Sequence, residues 1–402
     1  MGVFRDRDRL LPDFPIEDYW DSLPYRDFEL KTLWSIFKPA LEDPKNSFLR
    51  VVQVVGPAGS GKTCTLRLFG RKVEEEYANV KHVYVNLRVE GGRKTVLYRN
   101  IARKIDPKLV SVSLSAEETL VAIVSLLRES DKRVILTVDE VDYYVKHFKD
   151  EDVVYDLTRL NELSPSRPCG FIGVVFLARG RDFHRLLDEA ELSKLGRLHL
   201  TFKPYNAQQI RDILDRRAEE ALNPGAYSED VLSFISDLTA SPPVNGDMRY
   251  ALDLLLYAGT LAELEGSQAV KAEHVRKIHG SLHPNLTTEE VMSLPEEEKL
   301  VLLALSRVLT VKKTAYATFR EVYEEVQLLC EEQGRKPIAE VDEYLQDLSD
   351  RGIVDIRGLT RIGLSGLSAE DLEKFLTDIV QKLKGGVSEW LKTRLRKDWE
   401  AR

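Results

Sequence analysis

The sequence predicts an α/β domain built on a parallel sheet, then a small helical domain, then a winged helix-turn-helix. Three observations carry that prediction. Five apolar, β-branched runs alternate with helix-compatible sequence, at Leu49 to Val55, His82 to Leu87, Val134 to Val138, Phe171 to Leu177 and Leu198 to Phe202. Strands that apolar are covered on both faces, as in a parallel sheet with helical crossovers. After Phe202 the periodicity is helical only. Near the carboxyl end, three helical periods precede two short extended runs around Gly358, the outline of a winged helix-turn-helix.

Composition sets the bounds. The chain has 402 residues, 43% of them hydrophobic, which is too long for one core and apolar enough for several. Lys+Arg 58 against Asp+Glu 66 gives a net charge of −8, which excludes indiscriminate coating of nucleic acid but leaves room for a local basic face. No run approaches the roughly 18 apolar residues of a membrane span, and the opening MGVFRDRDRLLPDF lacks a signal peptide's apolar run. The expectation is a soluble cytoplasmic protein with no membrane partner. Cys64, Cys169 and Cys330 lack paired spacing, so they read as buried thiols and not as a disulfide or zinc framework.

In order along the chain, the first ~20 residues read as a charged arm lying on the protein. An amphipathic helix spans Leu23 to Leu41 and ends at Asp43-Pro44. The helical domain contains Asn206 to Leu222, Ser228 to Ala240, Asp247 to Glu265 and Lys271 to Gly280, and the polar segment 281–295 reads as a linker. The winged unit has helices at Glu296 to Leu309, Thr318 to Glu332 and Ile338 to Asp350, with extended runs at Gly352 to Ile356 and Arg361 to Leu364. The expected domains are therefore 1–204 (α/β, with the arm), 205–282 (helical), 293–384 (winged helix) and 385–402, a basic amphipathic carboxyl-terminal helix.

Two motifs carry chemistry. Residues 56–63, GPAGSGKT, match the phosphate-loop pattern G-x-x-x-x-G-K-[ST] between a strand and a helix. Gly56, Pro57, Ala58, Gly59, Ser60 and Gly61 would turn backbone N–H groups toward phosphates at a helix N-terminus. Lys62 would add charge at the β and γ phosphates, and the Thr63 hydroxyl would ligate Mg²⁺. ATP or ADP with Mg²⁺ is the implied cofactor set. In RVILTVDEVD (133–142), Asp139 and Glu140 end a buried strand, where two carboxylates call for a cation. Asp139 would hold the metal through water and Glu140 would act as general base; a solvated Asp-Glu pair is the plainer alternative. In GDMRYAL (246–252), Arg249 either reaches the γ-phosphate or is an ordinary exposed arginine.

Charge in the winged unit is unevenly placed. The helix at 338–350 carries Glu340, Asp342, Glu343, Asp347 and Asp350 without one Lys or Arg, so phosphates should repel it. Arg335, Lys336, Arg357 and Arg361 flank it, which makes the wing the better DNA contact, while a protein-binding wing stays open.

Together these residues resemble the archaeal origin-recognition and cell-division-control initiator family of AAA+ ATPases. The resemblance runs through LPYRDFELKTLWSIFKPAL, GPAGSGKT, VDEVDYY, FKPYNAQQIRDILDRRAEEAL and GDMRYALDLL to the winged-helix ending. It implies a P-loop AAA+ core with a helical lid, Tyr205 and Arg217 lining the nucleotide, and Lys62, Glu140 and Arg249 in catalytic roles. It also implies that the segment 178–197, with Arg181 and Arg185, is an insert that can touch DNA. Origin duplex DNA, a replicative helicase and a paralogous initiator are the implied partners. The chain departs from the family at Phe176, where a small polar γ-phosphate sensor is usual, and at Leu192, where an arginine is usually offered in trans. Either another arginine of the segment substitutes for the trans arginine or that contact is lost; both losses would remove transition-state charge stabilisation, so hydrolysis is expected to be slow and to serve as a switch. The runner-up function is a AAA+ remodelling or clamp-loader-like ATPase acting on a protein, with the carboxyl-terminal unit as an assembly domain.

Overall fold

A computed structural model describes residues 2–378 except 16–18, 44–47, 110–112, 164–167, 197, 283–287 and 365. The helix expected over 385–402 lies outside the described residues. Two compact units emerge, one of residues 13–209 with 243–249, the other of residues up to 12, 210–242 and from 250 on.

The first unit is built on a five-stranded, all-parallel sheet of β1 (Arg50–Val55), β2 (Val80–Asn86), β3 (Arg133–Asp139), β4 (Phe171–Ala178) and β5 (His199–Thr201), in the order β2-β3-β4-β1-β5. Each strand lies within about two residues of its predicted run. Alternation along β4 shows why both faces are covered. Val174, Phe176 and Ala178 face a core shared with α3 (Lys94–Ile105) and α4 (Ala116–Glu129), while Val175 and Leu177 face a core shared with α1 (Asp27–Glu42) and α2 (Lys62–Glu76). Ser115 and Glu118 start α4 with a reciprocal capping box, satisfying two otherwise orphaned N–H groups. The short helices α5 (Val141–His147), α6 (Val153–Thr158) and α7 (Glu189–Leu195) complete the connections. Because β1 is followed by β2 across the sheet, the loops leaving β1 and β3 open at the strands' carboxyl ends beside a change in strand order, where α/β sheets bind ligands.

The second unit begins with the amino-terminal strap. The N–H groups of Val3 and Phe4 donate to Glu263 Oε1, Phe4 bridges to Leu222, and Val3 and Leu10 are fully buried. Its helices are α8 (Ala207–Ala221, entering from the first unit), α9 (Glu229–Ala240), α10 (Met248–Leu264) and α11 (Ala272–Leu282). The segment expected to be a linker contains a short helix, α12 (Thr288–Ser293), whose Val291 packs into the winged-helix core. Next come α13 (Glu296–Lys312), α14 (Phe319–Gln333), α15 (Val341–Asp350) and the antiparallel pair β6 (Val354–Ile356) and β7 (Ile362–Leu364). The helical domain and the winged helix pack as one body. Fully buried Arg276 on α11 donates to the carbonyls of Thr314 and Ala315, and Tyr316 donates to Asp237 on α9.

Candidate functional site

The phosphate loop is shaped by two glycines in the left-handed region. Gly59 sits at φ 62° and Gly61 at φ 82°, where a side chain would be strained. A Cβ on Gly59 would lie 1.8 Å from Asp247 Oδ1, so the loop accepts no bulk there. Lys62 is the first residue of α2, and its ammonium donates to the carbonyls of Gly56 (2.6 Å) and Pro57 (2.8 Å). Burial pulls its pKa below the ordinary lysine value, with Asp139 opposing that shift and the charge of Arg249 adding to it. Arg249 is thus within the electrostatic reach of Lys62, and its backbone N–H is held by Asp247 Oδ1 at 3.0 Å. The sequence assigns Arg249 to the helical domain; the packing of Asp247 and Met248 on Gly59 groups 243–249 with the α/β unit instead.

Asp139, at the end of β3, is 6% exposed. Its Oδ2 accepts from Thr63 Oγ1 (2.8 Å) and Tyr84 OH (2.7 Å), and its Oδ1 from the Glu140 N–H (2.8 Å). Among the described residues its hydrogen-bond partners are all neutral, with the Lys62 ammonium close enough to interact, and with the Thr63 hydroxyl alongside it the pair suits hydrated Mg²⁺. Among the described residues no cluster of three His, Cys, Asp or Glu could hold a metal by itself, so the cation would be shared with phosphate oxygens. Tyr84 carried no sequence signal; its hydroxyl pKa is raised by burial and then by Asp139. Glu140 caps α5 at φ 59°, a costly conformation for a residue with a side chain. The guanidinium of Arg179, just beyond β4, approaches Glu140 Oε1 at 3.5 Å. Phe176 is buried in the apolar core on one face of the sheet, two residues before the end of β4.

The two residues that the resemblance places on the nucleotide are occupied within the protein. Tyr205 is buried and its hydroxyl meets Arg26 Nε at 3.0 Å, with Arg26 stacked 4.0 Å over its ring. Arg217 on α8 is 3% exposed and donates to the carbonyls of Arg9 and Leu11 in the strap. Arg26 itself was quoted in the sequence without a role.

The basic residues expected on DNA divide sharply. Arg181 and Arg185 are exposed and make no ion pair among the described residues, and Lys336 is likewise exposed and unpaired. Arg335 pairs with Glu296 at 2.8 Å. Arg357 donates to Asp355 (2.8 Å), the Asp237 carbonyl (3.1 Å) and Ser241 (2.6 Å), and it lies 3.5 Å from Asp237 Oδ1. Arg361 pairs with Asp237 Oδ2 and lies 4.4 Å over the ring of Tyr316. The structure therefore commits both wing arginines to α9, where the charge count over the wing had suggested free cations. α15 is acidic on its exposed face, as its sequence indicates, with Glu340, Asp342, Glu343, Asp347 and Asp350 all open to solvent.

Comparison with known proteins gives a consistent picture. Residues 50–187 match an AAA domain, 211–280 the Cdc6 AAA+ ATPase-type lid domain, and 289–364 the Cdc6 carboxyl-terminal winged helix domain. An ORC1-type DNA replication protein 1 of Aeropyrum pernix is 33% identical over 370 residues, 89% of each chain. The protein of the same name from Sulfolobus acidocaldarius is 31% identical over 386 residues, 94% of this chain and 92% of its own. Among solved structures, Cdc6p of Pyrobaculum aerophilum superposes with a TM-score of 0.79 at 28% identity, covering 95% of this chain and 99% of that one. The Aeropyrum pernix ORC1 protein, solved in complex with DNA, gives 0.59 at 32% identity over 95% and 99%. Among the described residues, no helix is long and apolar enough to cross a membrane.

Proposed function

The chain belongs to the family of ORC1-type and Cdc6 DNA replication proteins, and we propose that it acts there as an ATP-switched initiator that binds origin duplex DNA and helps bring in the replicative helicase. The observation that carries the nucleotide half is the junction of Lys62, Thr63 and Asp139 at the carboxyl end of the sheet, with Thr63 and Asp139 2.8 Å apart. Bound Mg-ATP supplies the reactive phosphoanhydride. Gly59 and Gly61 give the loop its inward turn, Lys62 would hold phosphate oxygens, and Asp139 with Thr63 would hold the hydrated cation. Glu140 would take the proton of the attacking water on a carboxylate oxygen, and Arg249, whose charge acts on Lys62, would sense the γ-phosphate. Loss of the polar group at Phe176 keeps turnover slow, as suits a switch.

For the DNA half, Arg181, Arg185 and Lys336 are, of the basic residues expected on DNA, those exposed and without an ion pair among the described residues, and a relative has been solved in complex with DNA. Replacing Arg181 and Arg185 with Ala should weaken binding across all duplexes and reduce the slope of log K against log salt by about 1.8. Fluorescence anisotropy at several salt concentrations measures it; an unchanged slope would remove that segment from the interface.

A further inference from the structure

Arg26 precedes α1, and its side chain makes no capping bond to that helix. It is 5% exposed, and a buried guanidinium is tolerated only when its donors are met. Here one planar fork gathers three stretches of chain. Nη1 pairs with Glu29 Oε1 at 3.1 Å and Nη2 donates to the Lys203 carbonyl at 2.9 Å, while Nε is shared between Tyr205 OH and the carbonyl of Ser60, each at 3.0 Å. Only the last of these touches the phosphate loop.

A trans peptide is planar, with its C=O and N–H on opposite sides. Anchoring the Ser60 oxygen on Arg26 therefore aims the Gly61 N–H away from Arg26. On the far side of the residue, Gly61 O accepts from the Thr65 N–H (3.0 Å) and Thr65 Oγ1 (2.8 Å), so both peptides of Gly61 are held. Tyr205 closes the remaining space, since a Cβ on Gly61 would sit 2.7 Å from its hydroxyl. Glycine at φ 82° is the most easily reoriented residue of the loop, and without these anchors the peptide could flip.

We propose that Arg26 is a positioning residue of the phosphate loop, fixing the Ser60–Gly61 peptide so that the Gly61 N–H points at the nucleotide's β-phosphate. The inference rests on the reading of this loop as the nucleotide site. Tyr205 then acts through the same brace, behind the loop.

The test uses the full chain and compares ATP, ADP and AMP. Arg26→Ala should weaken ATP and ADP about tenfold or more, the worth of one charge-assisted hydrogen bond, and leave AMP, which has no β-phosphate, within twofold. Arg26→Lys keeps the charge but cannot span the four acceptors, so it should fall between, with the loss again confined to ATP and ADP. Circular dichroism establishes that each variant is folded; should the Ala variant not fold, the Lys variant decides. Equal losses for all three nucleotides, or none, would overturn the proposal. Lys62→Ala separates the two readings. If it weakens ADP while the Arg26 variants do not, only the brace fails; if it too has no effect, the loop is not the nucleotide site and the proposal falls with it.

Discussion

The phosphate loop and the wing each offer cations suited to a polyanion, yet the two regions hold those cations differently. Lys62 rests on two neutral carbonyls, Gly56 O and Pro57 O, which give it up at little cost when a phosphate arrives. Arg357 and Arg361 rest on Asp237, whose side chain is 7% exposed and would keep only the Tyr316 hydroxyl as a side-chain partner if both arginines left. Removing the partners of a buried carboxylate is expensive, so the wing arginines serve the junction of α9 with the winged helix before they can serve DNA. A charge found in a sequence is thus a different quantity from a charge available to a ligand.

That contrast can be broken at several points. The largest expected effect is at Glu140: Glu140→Gln should keep Mg-ATP bound while single-turnover hydrolysis drops by roughly 10²–10⁴, because the amide cannot take the proton. Hydrolysis at the original rate would show that Glu140 is not the base. Lys62→Ala should cost about 10²-fold in equilibrium ATP affinity, since a charge-assisted contact in a partly buried site is lost. On the other side of the comparison, Asp237→Ala should lower stability to urea by about 2–3 kcal/mol, less than for a fully buried pair because both arginines are partly exposed. The smallest effect is the most telling. Arg357→Ala with Arg361→Ala should change duplex affinity by less than about threefold while matching much of the Asp237 destabilisation. If instead the double variant keeps its stability and loses about 0.9 of salt slope per arginine, the wing is the DNA contact and the two regions are alike.

What could be read in advance follows the same division. The five strands, the winged-helix elements and GPAGSGKT were legible because period, β-branching and the strand-loop-helix context are local properties of the chain. Asp139 and Glu140 were legible because a strand end is an unusual place for two acids. Arg26 was not, since nothing in YRDFE states that the arginine meets residue 60 and residues 203–205. The pairing of Arg357 and Arg361 was not legible, because their partner, Asp237, lies 120 residues or more earlier in the chain. The short helix at Thr288–Ser293 falls inside a polar stretch whose apolar contacts, Val291 and Leu294, are tertiary. Sequence reports which groups are present; long-range pairing decides which of them are spent.

The amino-terminal strap has a consequence in time. Val3 donates its N–H to Glu263, 260 residues further along, and the guanidinium of Arg217 donates to carbonyls at Arg9 and Leu11. During synthesis at ~5–20 residues per second, the strap's first contacts must wait roughly ten seconds to a minute for their partners to emerge. Residues 13–209 of the α/β unit are made before the first of those partners, Arg217, and its last segment, 243–249, follows before Glu263. Closure of the strap on the helical body therefore waits for residues 217 to 263 and follows the synthesis of most of the α/β unit.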